Sequence, residues 1–105
     1  MNSLEVNGKI LELNDFGFLC QIDEWNEDVA LALAKTERID ELREDHWKIL
    51  HYLRDYYKRK ALTPKIKTVC HDNGMSLREL YDLFPSGPAK GAMKIAGLPE
   101  PASCA

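Results

Sequence analysis

The chain has 105 residues, 45% hydrophobic and 30% charged, with a formal charge of −3. This is the length of one domain with a modest core. It excludes a transmembrane helix, because no apolar run approaches the roughly 18 residues required, and the acidic balance argues against non-specific nucleic-acid binding. The opening Met1-Asn-Ser-Leu-Glu has neither the basic nor the apolar region of a signal peptide, so a cytoplasmic location is expected.

Leu4 to Leu13 alternates apolar and polar residues around Asn7-Gly8. That dipeptide favours a type I′ turn, in which both central residues take positive φ. The pattern predicts a hairpin over 3–6 and 9–13, with Phe16–Leu19 as a short third strand. Asn26 is a good N-cap, and Glu27 and Asp28 complement the helix dipole, which predicts a helix to Lys35. Trp25, just before the cap, is placed to act as a lid on the core.

The longest helix is predicted from Arg43 to Lys60, with Trp47, Leu50, Arg54 and Tyr57 on one stripe and Ile49, Leu53 and Tyr56 beside it. Thr63-Pro64 is read as an N-cap and first helical position, opening a short helix to Cys70 or His71. Asp72-Asn-Gly74 is read as a turn. Ser76 and Glu79 have capping-box spacing and open a helix ending near Phe84, before Pro85 and Gly87. A last short helix is predicted from Pro88 to about Ile95. The expected architecture is α+β and mostly α: an N-terminal β-hairpin or meander packed on about five helices.

Gly97, Pro99 and Pro101 break any helix ending near Ala96. The expected organisation is therefore one domain over 1–96 and a flexible C-terminal arm over 97–105, with Gly87 as a further hinge. Cys104 stands near the tip of that arm. A thiol so placed can enter another protein's active site, which a core cysteine cannot do; the alternative is an incidental cysteine at a chain end. Its ordinary pKa near 8.5 leaves only a few per cent thiolate at neutral pH. The α-carboxylate of Ala105 opposes ionisation, so activation falls to cations. Lys90 and Lys94 share a helical face and are candidates for contacting an anion or partner, or they are simply solvated. Cys20 and Cys70 are read first as half-buried structural residues and second as resolving thiols. With no C-x-x-C and three scattered histidines, His46, His51 and His71, neither a metal nor any other cofactor is expected.

Leu83-Phe-Pro-Ser-Gly-Pro-Ala-Lys90, Lys94-Ile-Ala-Gly-Leu-Pro-Glu-Pro101 and Cys104 resemble the C-terminus of the DsrC/TusE family of sulfur-carrier proteins. Val6-Asn-Gly-Lys9, Asp15-Phe-Gly-Phe18, Trp25, Asp45-His-Trp47, Leu53-Arg-Asp-Tyr56, Pro64 and Leu80-Tyr-Asp-Leu-Phe84 extend the resemblance over most of the chain. It implies the hairpin-plus-helices fold and a persulfide on Cys104, carried by a relay component and not by a stand-alone enzyme. In DsrC proper a second arm cysteine precedes the penultimate one by about ten residues; here that position is Met93, and a thioether forms no disulfide. The single-cysteine pattern is similar to TusE, which implies a TusBCD-like donor and a tRNA thiolase as acceptor, in 2-thiouridine synthesis. The alternative is a DsrC-like gamma-subunit partner of dissimilatory sulfite reductase, with Cys20 or Cys70 replacing the missing thiol. The segment from Val69 to Leu80 is shorter than in many relatives, which implies a tight connection.

A different class of function also fits part of the chain. Pro64–Cys70, Asp72–Gly74 and Ser76–Phe84 have the size of a helix-turn-helix. Ser76, Leu77, Arg78 and Tyr81 would then face DNA, with Lys65 and Lys67 on phosphate. Glu79 and Asp82 on the recognition helix oppose this reading.

Overall fold

The computed structural model describes residues 2–87 and 91–99. Strands β1 (Asn2–Val6) and β2 (Lys9–Leu13) pair antiparallel, from Asn2 opposite Leu13 to Val6 opposite Lys9. Asn7 at φ 53° and Gly8 at φ 83° make the primed turn that matches strand twist. Leu11 and Leu13 turn inward and are buried, and Leu4 and Val6 pack beside them. Phe16–Leu19 contributes no third strand, only a single bridge between Leu13 and Leu19. Asn14 prevents more by bending the chain: its side-chain oxygen accepts from the N–H groups of Phe16 and Phe18, a local turn that competes with a ladder.

A 3₁₀ turn at Ile22–Glu24 leads to α1 (Glu27–Thr36). Asn26 caps α1 as expected, accepting from the Val29 N–H at 2.9 Å. Helix α2 (Glu44–Lys60) runs through the domain. Its buried wall is His46, Ile49, Leu50 and Leu53, while Trp47, Arg54 and Tyr57 border that wall half-buried. The apolar stripe is thus rotated from the one expected, because His46 turns inward.

Helix α3 spans Ile66–Asn73, with Lys65 in the extended N-cap position. Pro64 is therefore not the first helical residue; it is buried two residues upstream. Asp72 and Asn73 finish the helix instead of forming a turn. Gly74 and Met75 close it by donating to the carbonyls of His71 and Cys70, with Gly74 at φ 61°. Helix α4 (Leu77–Leu83) starts three residues on, with the Ser76–Glu79 capping box formed in both directions. Two helices joined by a tight turn are thus present, with Leu77 and Tyr81 about half exposed. Helix α5 is Met93–Ile95; the expected start at Pro88 lies outside the described residues.

The core gathers Leu11 from the hairpin, Val29 and Leu33 from α1, Ile49, Leu50 and Leu53 from α2, and Val69 and Leu80. Phe84, Met93, Ile95 and Leu98 complete it from the C-terminal side, each 0–1% exposed. Gly97 and Leu98 are buried, so the packed body extends past the boundary expected at Ala96. No described helix is long and apolar enough to cross a membrane.

Candidate functional site

Helix α5 is too short to hold itself, and its terminal carbonyls lie in the core, where an unpaired acceptor is costly. Each is accounted for. Gly97, at φ +72°, donates to the Lys94 carbonyl at 3.0 Å, and Leu98 donates to that of Met93 at 3.1 Å. This is a Schellman closure, which asks for glycine at that position. The carbonyls of Ile95 and Ala96 are taken from outside the helix. Trp25 Nε1 donates to Ile95 O at 2.8 Å, and Arg54 Nη1 donates to Ala96 O at 2.8 Å.

Both donors are themselves fixed. Arg54 Nη2 reaches the Ile22 carbonyl at 3.2 Å, and its guanidinium carbon lies 4.3 Å from the centroid of the Trp25 ring. Burial lowers the Arg54 pKa, and nearby Asp23 partly opposes the shift. Trp25 also covers Gly97: a Cβ there would fall 2.3 Å from Trp25 Cδ1. Sequence reading placed Arg54 on the apolar stripe without giving it a partner. The signal was the stripe itself, since a cation among apolar positions needs buried acceptors.

Lys94 is not displayed at the surface. Its Nζ lies 3.0 Å from Glu37 Oε2, with the two side chains 12% and 18% exposed. The lysine stem crosses the backbone of Gly17, where an added Cβ would lie 3.0 Å from Cε and Nζ. The reading of Lys94 as a solvated or partner-facing cation thus gives way to an internal pair with Glu37. Lys90, Pro101 and Cys104 lie outside the described residues. Pro99 is half-buried. Gly87, at φ +111°, donates to Phe84 O at 2.9 Å and accepts from the Gly91 N–H at 2.8 Å.

Met93 is 1% exposed, so the thioether at the second-cysteine position is a packing residue. Cys70 is half-buried against the core and Cys20 is exposed, both as free thiols. Cys20 thus departs from the half-buried role expected of it: β2 ends at Leu13, and Leu19 and Phe18 turn inward in its place. His46 is buried in a cap, His51 sits between Trp25 and Trp47, and His71 lies beside Asp72. No described trio of His, Cys, Asp or Glu is arranged to hold a metal ion.

A cleft of about 880 Å³ runs beside the anchored segment. Tyr52, Tyr57, Ile22 and Leu98 form its walls and floor, and Lys48, His51, Asp55 and Lys58 stand on its exposed rim. Tyr52 donates to Asp72 Oδ2 at 2.5 Å. Burial and that carboxylate raise the tyrosine pKa, and the same hydrogen bond lowers that of Asp72.

The fold and its anchored C-terminal segment define a small hairpin-and-helices domain that holds Leu98 against a cleft. The DsrC-like protein family model matches residues 5–105, and the chain belongs to that family. It is 39% identical to the gamma subunit of the dissimilatory-type sulfite reductase of Nitratidesulfovibrio vulgaris, covering 99% of both chains. It is 41% identical to the TusE sulfurtransferase homolog of Haemophilus influenzae, covering 96% of this chain and 98% of that one. The crystal structure of oxidized DsrC, the gamma subunit of the Archaeoglobus fulgidus sulfite reductase, superposes with a TM-score of 0.89 at 45% identity, over 99% of this chain and all of that one.

Proposed function

We propose that this chain relays sulfane sulfur as a persulfide on Cys104. In each step the Cys104 thiolate attacks the outer sulfur of a donor persulfide. A new S–S bond forms at Cys104, the donor's S–S bond breaks, and the donor leaves as a thiol; transfer onward reverses the roles. The observation that carries the reading is the anchored root. The carbonyls of Met93, Lys94, Ile95 and the cap residue Ala96 are all satisfied, so residues beyond Leu98 start from a fixed point, and Cys104 is the sixth residue after Leu98. A carrier needs access and a fixed origin more than catalytic power. With Lys94 held by Glu37, activation of the thiol falls to a partner's site or to Lys90. The protein would act in the cytoplasm and need no cofactor.

Buried Met93 favours the TusE-like assignment, with a TusBCD-like donor and a tRNA thiolase as acceptor, because two-thiol arm chemistry has no second sulfur nucleophile there. The identity to the sulfite reductase gamma subunit of N. vulgaris supports the second reading, a DsrC-like partner of sulfite reductase. That reading requires an intramolecular disulfide from Cys104 to Cys20 or Cys70 on mild oxidation.

Intact-mass spectrometry after exposure to polysulfide tests the relay. The expected result is one reducible sulfur atom, mapped by digestion to Cys104 and absent from Cys104→Ser. Sulfur spread equally over Cys20 and Cys70 would overturn it. An intramolecular disulfide would shift the assignment to the sulfite reductase partner.

A further inference from the structure

The charge of this chain is segregated. Seven of its 14 Lys and Arg residues lie between Lys48 and Lys67, a stretch holding one acid, Asp55. The rest of the chain sets seven cations against sixteen acids. The positive charge of an acidic protein is therefore concentrated on α2 and the start of α3, and three of these cations, Lys48, Arg54 and Lys58, line the cleft beside Leu98.

Two acids also line that cleft. Asp55 pairs with Arg59 at 3.7 Å, and the charge of Asp23 partly opposes the lowering of the Arg54 pKa by burial. Arg54 is spent on two backbone carbonyls. The lysines are not compensated: among the described residues no carboxylate lies within ion-pair distance of Lys48 or Lys58. Both lysines are exposed, and their positions on α2 are ten residues apart, an axial rise of about 15 Å at about 1.5 Å per residue. Between them the half-buried rings of Tyr52 and Tyr57 and the buried side chain of Leu98 offer an apolar bed.

We propose that this cleft docks an acidic, partly apolar segment of a partner protein. Carboxylates would meet Lys48 and Lys58, and one or two apolar side chains would lie over Tyr52, Tyr57 and Leu98. Charge complementarity selects such an occupant, speeds encounter and fixes its register. The cleft includes Leu98, and six further residues span at most about 20 Å, so a partner docked there has Cys104 within reach of its own surface. Only the identity of that partner as a sulfur donor or acceptor rests on the relay reading.

The test uses the full chain as Cys104→Ser, so that binding is measured without sulfur chemistry and each proposal can fail alone. The probe is a fluorescein-labelled peptide alternating glutamate and leucine, followed by anisotropy at increasing salt. Expected are saturable binding that weakens with salt, amide shift changes centred on Tyr52, Tyr57 and Leu98, and at least about tenfold weaker binding in Lys48→Glu and in Lys58→Glu. Lys35→Glu, the same charge change on α1, should bind as the parent does. Equal binding by all variants, or no binding at all, overturns the proposal. So does preferential binding of labelled oligouridylate, which would make the cleft a nucleic-acid surface. Concentration-dependent self-association that blocks the probe would overturn it in favour of a second copy of this chain.

Discussion

Trp25 and Arg54 stack on each other, 4.3 Å apart, and donate to consecutive carbonyls, Ile95 and Ala96. One comes from the residue before a helix cap and the other from the middle of α2. Together they tie the chain's last described segment to elements about 70 and 42 residues away in sequence. Trp25→Phe keeps most of the apolar contact and removes the donor, leaving the Ile95 carbonyl without its partner. A loss of about 1–3 kcal/mol is expected in urea unfolding, together with faster tryptic cleavage after Lys94. Unchanged cleavage would show that the root is held by packing alone.

Gly97→Ala meets two penalties at once. The left-handed backbone at φ +72° disfavours a Cβ by about 1–2 kcal/mol, and that Cβ would fall 2.3 Å from Trp25 Cδ1. Displacing the ring adds an overpacking cost of about 1–3 kcal/mol. The combined loss should exceed that of Gly74→Ala, where the backbone is also left-handed and nothing lies within 4 Å of the added atom. Denaturant midpoints of the two variants, compared side by side, check this.

The Lys94–Glu37 pair lies between an exposed bridge and a fully buried one, with side chains 12% and 18% exposed. Lys94→Met leaves Glu37 without its cation and should cost about 1–3 kcal/mol, between the values for surface and buried pairs. Glu37→Gln should cost a similar amount. The double variant should recover part of the sum, and a double-mutant cycle gives the coupling directly.

His46 makes the domain acid-sensitive. Its Nδ1 accepts from the Arg43 N–H at 3.1 Å, so the neutral ring carries its proton on Nε2, which donates to Leu83 O at 2.8 Å. Burial holds its pKa below 6.5, with Arg43 acting in the same direction and the Leu83 carbonyl and Asp45 opposing. The unfolded chain then binds the extra proton more readily. Stability is full above the unfolded histidine pKa of about 6.5 and falls as pH drops below it, by at most about 1.4 kcal/mol per pH unit. His46→Gln should be less stable at neutral pH and lose most of this slope between neutrality and mild acid, measured by chemical unfolding at several pH values.

Local patterns were legible wherever the physics is local. Asn7-Gly8 encoded its turn, Asn26 its cap, and Ser76 with Glu79 a complete box. Gly97 was legible as a helix stop, but its second role was not, since a side chain that covers it from residue 25 leaves no trace in neighbouring residues. Lys94 paired naturally with Lys90 by spacing, yet its partner is Glu37, set by the packing of α5 on α1. Phe16–Leu19 has strand composition, and the Asn14 side chain overrode it. The anchoring of the segment through Leu98 therefore had to come from the structure, while Cys104, the proposed sulfur carrier, was visible in the sequence alone.

The Trp25–His51–Trp47 cluster, with ring centroids 6.0 and 5.9 Å apart, gives this protein an optical gauge of its own. Both indoles of the chain share one imidazole, and one of them rests on Gly97. Any event that loosens the C-terminal root will change the surroundings of Trp25 and be read as emission without attaching a dye.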